Sequence, residues 1–252
     1  MNALIEDIKQ QVKDHDPVRA LTILADAFPG KVIFSSSFGW EDQVITHMIF
    51  ANNIPIKVFT LETGRLFPET YYVWNRTMEI YGKPIHAYYP NNELLEQMVN
   101  AKGPNSFYES VDNRKECCGI RKIEPLKRAL KGNEVWITGI RAEQSLNRQF
   151  MSDVEWDDQN NLIKFHPIFN WDLSEVKDYI KKYNVPYNTL HDRGFPSIGC
   201  APCTRAVQPG EDFRSGRWWW EDQSKKECGL HESSPTQPSP EGRALEVSQK
   251  IN

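Results

Sequence analysis

The stretch KVIFSSSFGWEDQVITHMIF, residues 31–50, decides the fold. KVIFSSS is a short apolar run rich in β-forming side chains. Phe38-Gly39 interrupts it, and from Glu41 to Phe50 the apolar residues Val44, Ile45, Met48 and Ile49 recur at helical spacing. The order is strand, loop, helix. It returns in IKVFTL (56–61), the loop ETGRLFP and a helix over Glu69 to Tyr81, after which KPIHAYY supplies another strand. EVWITG (134–139) is a further strand with a small-residue exit. Strands alternating with helices of this length predict an α/β fold with a mostly parallel, twisted sheet flanked by helices and ligands at the carboxyl ends of the strands. The loops after residues 36, 61 and 139 should then lie together.

The flanks extend this frame. Residues 1–30 read as two helices, the second capped by Asp16 with Pro17 at its first position and stopped by Pro29-Gly30. RQFMSDVEW and LIKFHPIF alternate around the turn DDQNN, which predicts a hairpin at an antiparallel edge, and Asp172-Leu173 open a helix to about Tyr183. From Val185 the text is loop-like and rich in Pro and Gly, so something other than regular structure should hold it; a metal clip would serve. The implied divisions are N-terminal helices at 1–30, an α/β nucleotide-binding domain at 31–210, a C-terminal segment at 211–232, and a Ser-, Pro- and Glu-rich tail at 233–252 expected to be disordered.

Composition narrows the partners. The chain has 252 residues, 39% of them hydrophobic, and a net charge of −4, so it can bury one sizeable core but lacks the broad excess of Lys and Arg that nucleic acid or an anionic membrane requires. The acidic N-terminus is unlike a signal peptide, and no apolar run approaches membrane-spanning length, which points to a cytoplasmic protein. In that compartment five cysteines suit metal binding or reactivity better than structural disulfides.

Cys117-Cys118 lies in RKECCGIRK, and Cys200 and Cys203 form a C-x-x-C pair in the later loop region. A C-x-x-C turn points both side chains the same way. An iron–sulfur cluster leads the readings of these four cysteines, with a structural zinc and simple apolar burial as alternatives. Cys228, in KKECGLH, has Lys225, Lys226 and His231 nearby, and positive neighbours lower a thiol pKa. The alternative is an idle surface cysteine. If the other four bind metal, Cys228 has no partner within the chain, and a covalent intermediate on it needs an external thiol.

Ser35 to Asp42 follow a strand and open a helix, so amides, hydroxyls and a helix N-terminus converge there, although the Gly-Lys-Ser/Thr element of a Walker loop is absent. Thr60 to Arg65 and Thr138 to Arg141 supply two further small-residue exits. Arg114, Lys115, Arg121, Lys122, Arg205, Arg214 and Arg217 flank the cysteines in an otherwise acidic chain, which favours a small polyanionic substrate over a merely solvated face. Trp218-Trp219-Trp220 is too apolar for a free loop and reads as packing, a lid or a docking patch.

Taken together, SSSFGWED, LETGRLFPET, CCGIRK, TGIRAEQS, GCAPCTR and KKECGLH, across about residues 20–232, resemble the assimilatory adenylyl-sulfate (APS) reductases within the phosphoadenylyl-sulfate (PAPS) reductase family. The resemblance implies an adenine-nucleotide α-hydrolase-like fold with a [4Fe–4S] cluster on Cys117, Cys118, Cys200 and Cys203. It also implies nucleotide contacts from Ser36, Phe38, Gly39, Glu41, Thr63 and Gly64. Lys122 would lie between cluster and sulfate, Arg141, Arg214 and Arg217 around the phosphosulfate, and His231 just after the nucleophile Cys228. The implied reaction is thiol-dependent reduction of adenylyl sulfate to sulfite and AMP in sulfate assimilation, with thioredoxin or glutaredoxin as donor. Homo-oligomerisation is left open. The rival enzymatic readings are a reductase of PAPS or of both nucleotides, and an ATP-pyrophosphatase-type tRNA thiolase or sulfurtransferase, whose fuller SGGxDS-like loop is missing here. A metal-stapled nucleotide-binding regulator is the non-enzyme reading, and it leaves KKECGLH without a role.

Overall fold

The computed structural model describes residues 2–144 and 151–221. Two helices, α1 (Asn2–Val12) and α2 (Pro17–Ala27), precede the first strand, and the Asp16 side chain accepts hydrogen bonds from the amides of Val18 and Arg19 at the start of α2. The alternation that follows is β1 (Val32–Ser35), α3 (Trp40–Ala51), β2 (Lys57–Leu61), α4 (Pro68–Tyr81) and β3 (His86–Tyr88). Residues 92–130, where the periodicity gives no assignment, form α5 (Asn92–Lys102), α6 (Val111–Cys118), a π-helical turn (Gly119–Ile123) and α7 (Glu124–Leu130). The chain then makes β4 (Val135–Ile137), β5 (Val154–Asp157), β6 (Leu162–Phe165) and α8 (Leu173–Tyr183), whose N-terminus carries a capping box between Asp172 and Glu175.

The six strands form one sheet in the order β3-β2-β1-β4-β6-β5, parallel throughout except for the antiparallel edge strand β5. The expected hairpin is therefore present, with β5 at the edge and β6 joining the parallel body. Strand periodicity assigns the two faces. Val32 and Phe34 of β1, Val58 of β2, Val135 and Ile137 of β4, and Ile163 and Phe165 of β6 belong to a core that includes residues of α1, α2, α3 and α8. Their alternating neighbours Ile33, Phe59, Trp136 and Leu162 pack with Leu126, Ala129 and Leu130 of α7 on the opposite face. Both faces are covered, so these strands read as unbroken apolar runs.

Strand order reverses at β1, whose neighbours are β2 on one side and β4 on the other. In an open α/β sheet that point leaves a crevice beyond the strand ends where ligands bind. Residues 185–221 cross this end of the sheet with only short 3₁₀ turns at Thr189–Arg193 and Ala201–Cys203. Among the described residues no helix is long and apolar enough to cross a membrane. The expected tail at 233–252 lies outside the described residues.

Candidate active site

Where β1 ends, Ser36 extends the sheet, its amide donating a hydrogen bond of 2.8 Å to Phe59 O, and the next residue turns away. The amide and hydroxyl of Ser37 both donate to one carboxylate oxygen of Asp42, at 2.5 and 2.6 Å. Phe38 sits at φ 63°, a left-handed conformation that a bulky residue adopts only when its surroundings hold it there. What holds it is visible: its amide donates to Ser36 Oγ at 3.2 Å, and its fully buried ring stacks on Trp74 at 5.5 Å. Gly39 caps α3 without a side-chain hydrogen bond. A Cβ on Gly139, at the exit of β4, would come within 2.2 Å of Asp42 Oδ1, so glycine is what allows the β1 and β4 loops to touch.

The β2 exit closes on itself. Glu62 accepts from the Gly64 amide at 2.8 Å, Thr63 Oγ1 accepts from the Arg65 amide at 3.2 Å, and Gly64 takes φ 72°. Thr63 O accepts from Arg121 Nη1 at 2.5 Å, and Arg65 O accepts from the Ala201 amide at 2.8 Å, tying this loop to both cysteine segments.

These exits line a cavity of about 240 Å³. Ser36, Phe38, Gly39, Glu41, Thr63, Lys122, Arg214 and Arg217 border it, whereas Gly64 and Arg141 do not. Arg141 is 1% exposed and lies behind the wall, where Nε donates to Glu41 at 2.9 Å and Nη1 to Glu143 at 2.8 Å. It holds Glu41 in place. Cys228 and His231 lie outside the described residues. The cavity thus has a cationic side from the π turn and the C-terminal loop, and an acidic side from the first turn of α3.

Asp42, Thr138 and Gln144, which lie in the loops and motifs read from the sequence but are not singled out there, also border the cavity, as does His191, which the sequence reading misses. Burial raises the Asp42 carboxyl to about 6, against the two bonds from Ser37 and with a further push from Glu41. His191 stacks on Trp40 at 3.9 Å, accepts from the Trp40 amide through Nε2 at 3.2 Å and donates through Nδ1 to Phe195 O at 2.7 Å. Burial lowers it to about 4, so it is neutral near pH 7. An acidic pair at a helix start could have flagged Asp42. His191 sits in a segment without periodicity, and nothing local marks it.

Cys117, Cys118, Cys200 and Cys203 border a second, much smaller cavity, of about 10 Å³. That is room for about one water molecule. Among the described residues no group of three or more Cys, His, Asp or Glu side chains is arranged to hold a metal ion. The expected [4Fe–4S] cluster, and with it a cluster-bearing loop region, is therefore corrected: the donor set does not fit the group. Cys117, Cys200 and Cys203 instead pack with Met98, Phe107 and Trp218 as small apolar groups. Burial drives the Cys117 thiol up and Cys203 up to about 12. Cys200 differs: burial pushes it up, but Lys122, the Thr63 hydroxyl 3.4 Å from its sulfur, Arg217 and Arg121 outweigh that and lower it.

What holds the loop in place of a metal is peptide pairing around Trp218. Thr204 and Arg217 form an antiparallel bridge, the Arg205 amide donates to Gly216 O at 3.0 Å, and the Trp218 amide donates to Cys203 O at 3.1 Å. Trp218 is 1% exposed, with the guanidinium carbons of Arg114 and Arg217 over its ring at 4.7 and 4.9 Å. Of the three consecutive tryptophans, Trp218 is packing and Trp219 is exposed.

A doubly wound sheet with a cavity at its reversal point, lined by amides, hydroxyls and cationic side chains, defines an adenine-nucleotide α-hydrolase-like nucleotide-binding domain. The family model of the phosphoadenosine phosphosulfate reductase domain matches residues 31–206, and the chain belongs to that family. It is 49% identical over 210 residues to the adenosine 5'-phosphosulfate reductase of Allochromatium vinosum, covering 82% of each chain. It is 50% identical over 202 residues to the protein of that name in Sinorhizobium fredii, covering 80% of each. The crystal structure of the phosphoadenylyl-sulfate reductase of Candida auris, a phosphate complex, superimposes with a TM-score of 0.69 at 27% identity, covering 82% of this chain and 98% of that one.

Proposed function

We propose that this chain reduces adenylyl sulfate to sulfite and AMP with electrons from an external thiol. The observation that carries the reading is the cavity's division into an acidic side at Glu41 and Asp42 and a cationic side at Lys122, Arg214 and Arg217. Carboxylates accept from ribose hydroxyls or an adenine amine, while cations meet the phosphosulfate. The Ser36–Gly39 turn and the Thr63–Gly64 loop supply further contacts, and Arg141 acts by fixing Glu41. The names of the relatives at 49% and 50% identity support adenylyl sulfate as substrate. The Candida auris likeness keeps PAPS, or use of both nucleotides, as the second reading.

The nucleophile is Cys228, carried on the segment assigned to residues 211–232 and followed by His231. Cys228 is seven positions beyond Glu221, and a chain of that length spans at most roughly 25 Å. Its thiolate attacks the sulfuryl sulfur. The bond from sulfur to the bridging oxygen breaks, and AMP leaves with negative charge met by Lys122 and the arginines. The product is a Cys228 S-sulfonate. A thiolate of thioredoxin or glutaredoxin attacks the Cys228 sulfur, sulfite departs, and the donor's second thiol resolves the mixed disulfide, which balances two electrons and leaves the donor oxidised. Burial supports the external donor in part: Cys117, Cys200 and Cys203 are each 9% exposed or less and are poor partners for Cys228, while Cys118 is half-buried.

The test measures sulfite and AMP from adenylyl sulfate and from PAPS, with and without thioredoxin. Thioredoxin-dependent release from adenylyl sulfate is expected; release from PAPS alone would overturn the substrate assignment. Cys228→Ser should form no labelled S-sulfonate, and an adduct on that variant would sink the nucleophile.

A further inference from the structure

Arg217 is a buried, poorly satisfied cation at the cavity. It is 7% exposed, its Nε has no hydrogen-bond partner among the described residues, and Nη1 reaches only long contacts, 3.3 Å to Ile198 O and 3.4 Å to Ser197 Oγ. A buried guanidinium with unspent N–H groups facing a cavity is poised for an anion. Its position is not set by those weak bonds. It lies against Gly199, where a Cβ would fall 2.2 Å from Nη2, and its guanidinium carbon is 4.9 Å from the Trp218 ring centre. The indole is a wall against which Arg217 rests.

That wall is itself held from behind. Arg114 lies over the same indole at 4.7 Å and is bound bidentately by Glu221, Nε to Oε1 at 3.0 Å and Nη2 to Oε2 at 2.9 Å, with the side chains of this pair 2% and 3% exposed. Trp218 takes φ 42°, a conformation a tryptophan does not adopt unaided. Two guanidinium groups on one indole repel each other. Glu221 neutralises Arg114 and leaves Arg217 as the charge available to a ligand.

We propose that Glu221 and Arg114 are positioning residues that act through Trp218 to hold Arg217 at the anionic end of the nucleotide site. The inference rests on the reading of the cavity as an adenylyl sulfate site. It makes anion affinity depend on a salt bridge that touches no substrate and is felt only through the indole between it and Arg217.

The test compares equilibrium binding of adenosine, AMP and adenylyl sulfate to the full-length protein, as wild type, Glu221→Gln and Trp218→Phe, each checked for a cooperative melt. Losing the bidentate carboxylate should weaken AMP and adenylyl sulfate about tenfold with adenosine unchanged, and Trp218→Phe should do the same to a smaller degree because phenylalanine is the weaker cation partner. In turnover, KM should rise with kcat little changed. Equal losses for adenosine and AMP, or no loss, overturn the proposal, and Trp218→Phe carries the test alone if Glu221→Gln fails to fold. A wild type that binds adenosine as tightly as adenylyl sulfate overturns the reading of the cavity and this inference with it, whereas a wild type with the preference and variants that keep it overturn the inference alone.

Discussion

At the carboxyl ends of β1, β2 and β4 the cavity wall is made by the sheet, so its residues stand where hydrogen-bonded strands leave them. Across from it, the loops that carry Cys200, Arg214 and Arg217 form a wall with almost no regular structure, stabilised by backbone hydrogen bonds around one buried indole. The first wall is rigid because its neighbours are backbone. The second depends on side chains, so single substitutions should disturb it in a different way.

The largest effect should come from Trp218→Ala, which removes the largest buried side chain of the loop wall and is expected to cost about 3–5 kcal/mol in urea unfolding. A loss well below that would mean the loop has another anchor. Two glycines sharpen the contrast. Gly139→Ala meets the buried Asp42 carboxylate and Glu41 Cβ, and should cost about 1–3 kcal/mol of stability. Gly199→Ala meets the end of the Arg217 side chain, so it should mainly weaken anion binding. If the two glycines behave alike in both measurements, the walls do not differ as described.

A pH titration of stability separates Asp42 on the sheet wall from His191 in the segment that crosses it. Asp42 is raised from 3.8 to about 6, so it binds its proton more tightly folded than unfolded, and its contribution falls as pH rises through that window. His191 is lowered from 6.5 to about 4, so its contribution is present above pH 6.5 and is lost as pH falls towards 4. The two slopes oppose each other. Asp42→Asn should therefore leave a stability that climbs between pH 4 and 6.5, and His191→Gln one that declines between pH 4 and 6, each by about 1–2 kcal/mol in chemical melts. Parallel profiles for both variants would break the assignment. The smallest effect belongs to Arg205→Ala: its bond to Glu211 is solvent-exposed, and the thermal midpoint should not move.

The same contrast explains what could be read in advance. Strand periodicity and small-residue exits exposed the sheet, because Val32, Phe34 and Ile33 alternate between two apolar faces and the loop chemistry of Ser35 to Asp42 is local. The partners of the loop wall are far apart in sequence. Arg114 meets Glu221 across 107 positions, and no local period announces that pairing. Charge clustering around the cysteines picked out Lys122, Arg214 and Arg217, which border the cavity, whereas Arg141, which only the family resemblance implied, lies behind the wall in an ion pair with Glu41. The cysteine spacing suggested convergence, and the four do border one small cavity; spacing carries no information on volume, and 10 Å³ between packed thiols is no cluster site.

The π turn at Gly119–Ile123 turns α6, itself and α7 into one continuous rod with a single residue too many for α-helical phase. One residue is about 100° of rotation. Removing Gly119 would restore the phase, leaving Cys117 where it is and carrying Arg121 off Thr63 and Lys122 off the cavity wall. The rod is in this sense a keyed shaft: an inserted or deleted residue in this stretch changes which charge faces the cavity while the remaining side chains stay the same.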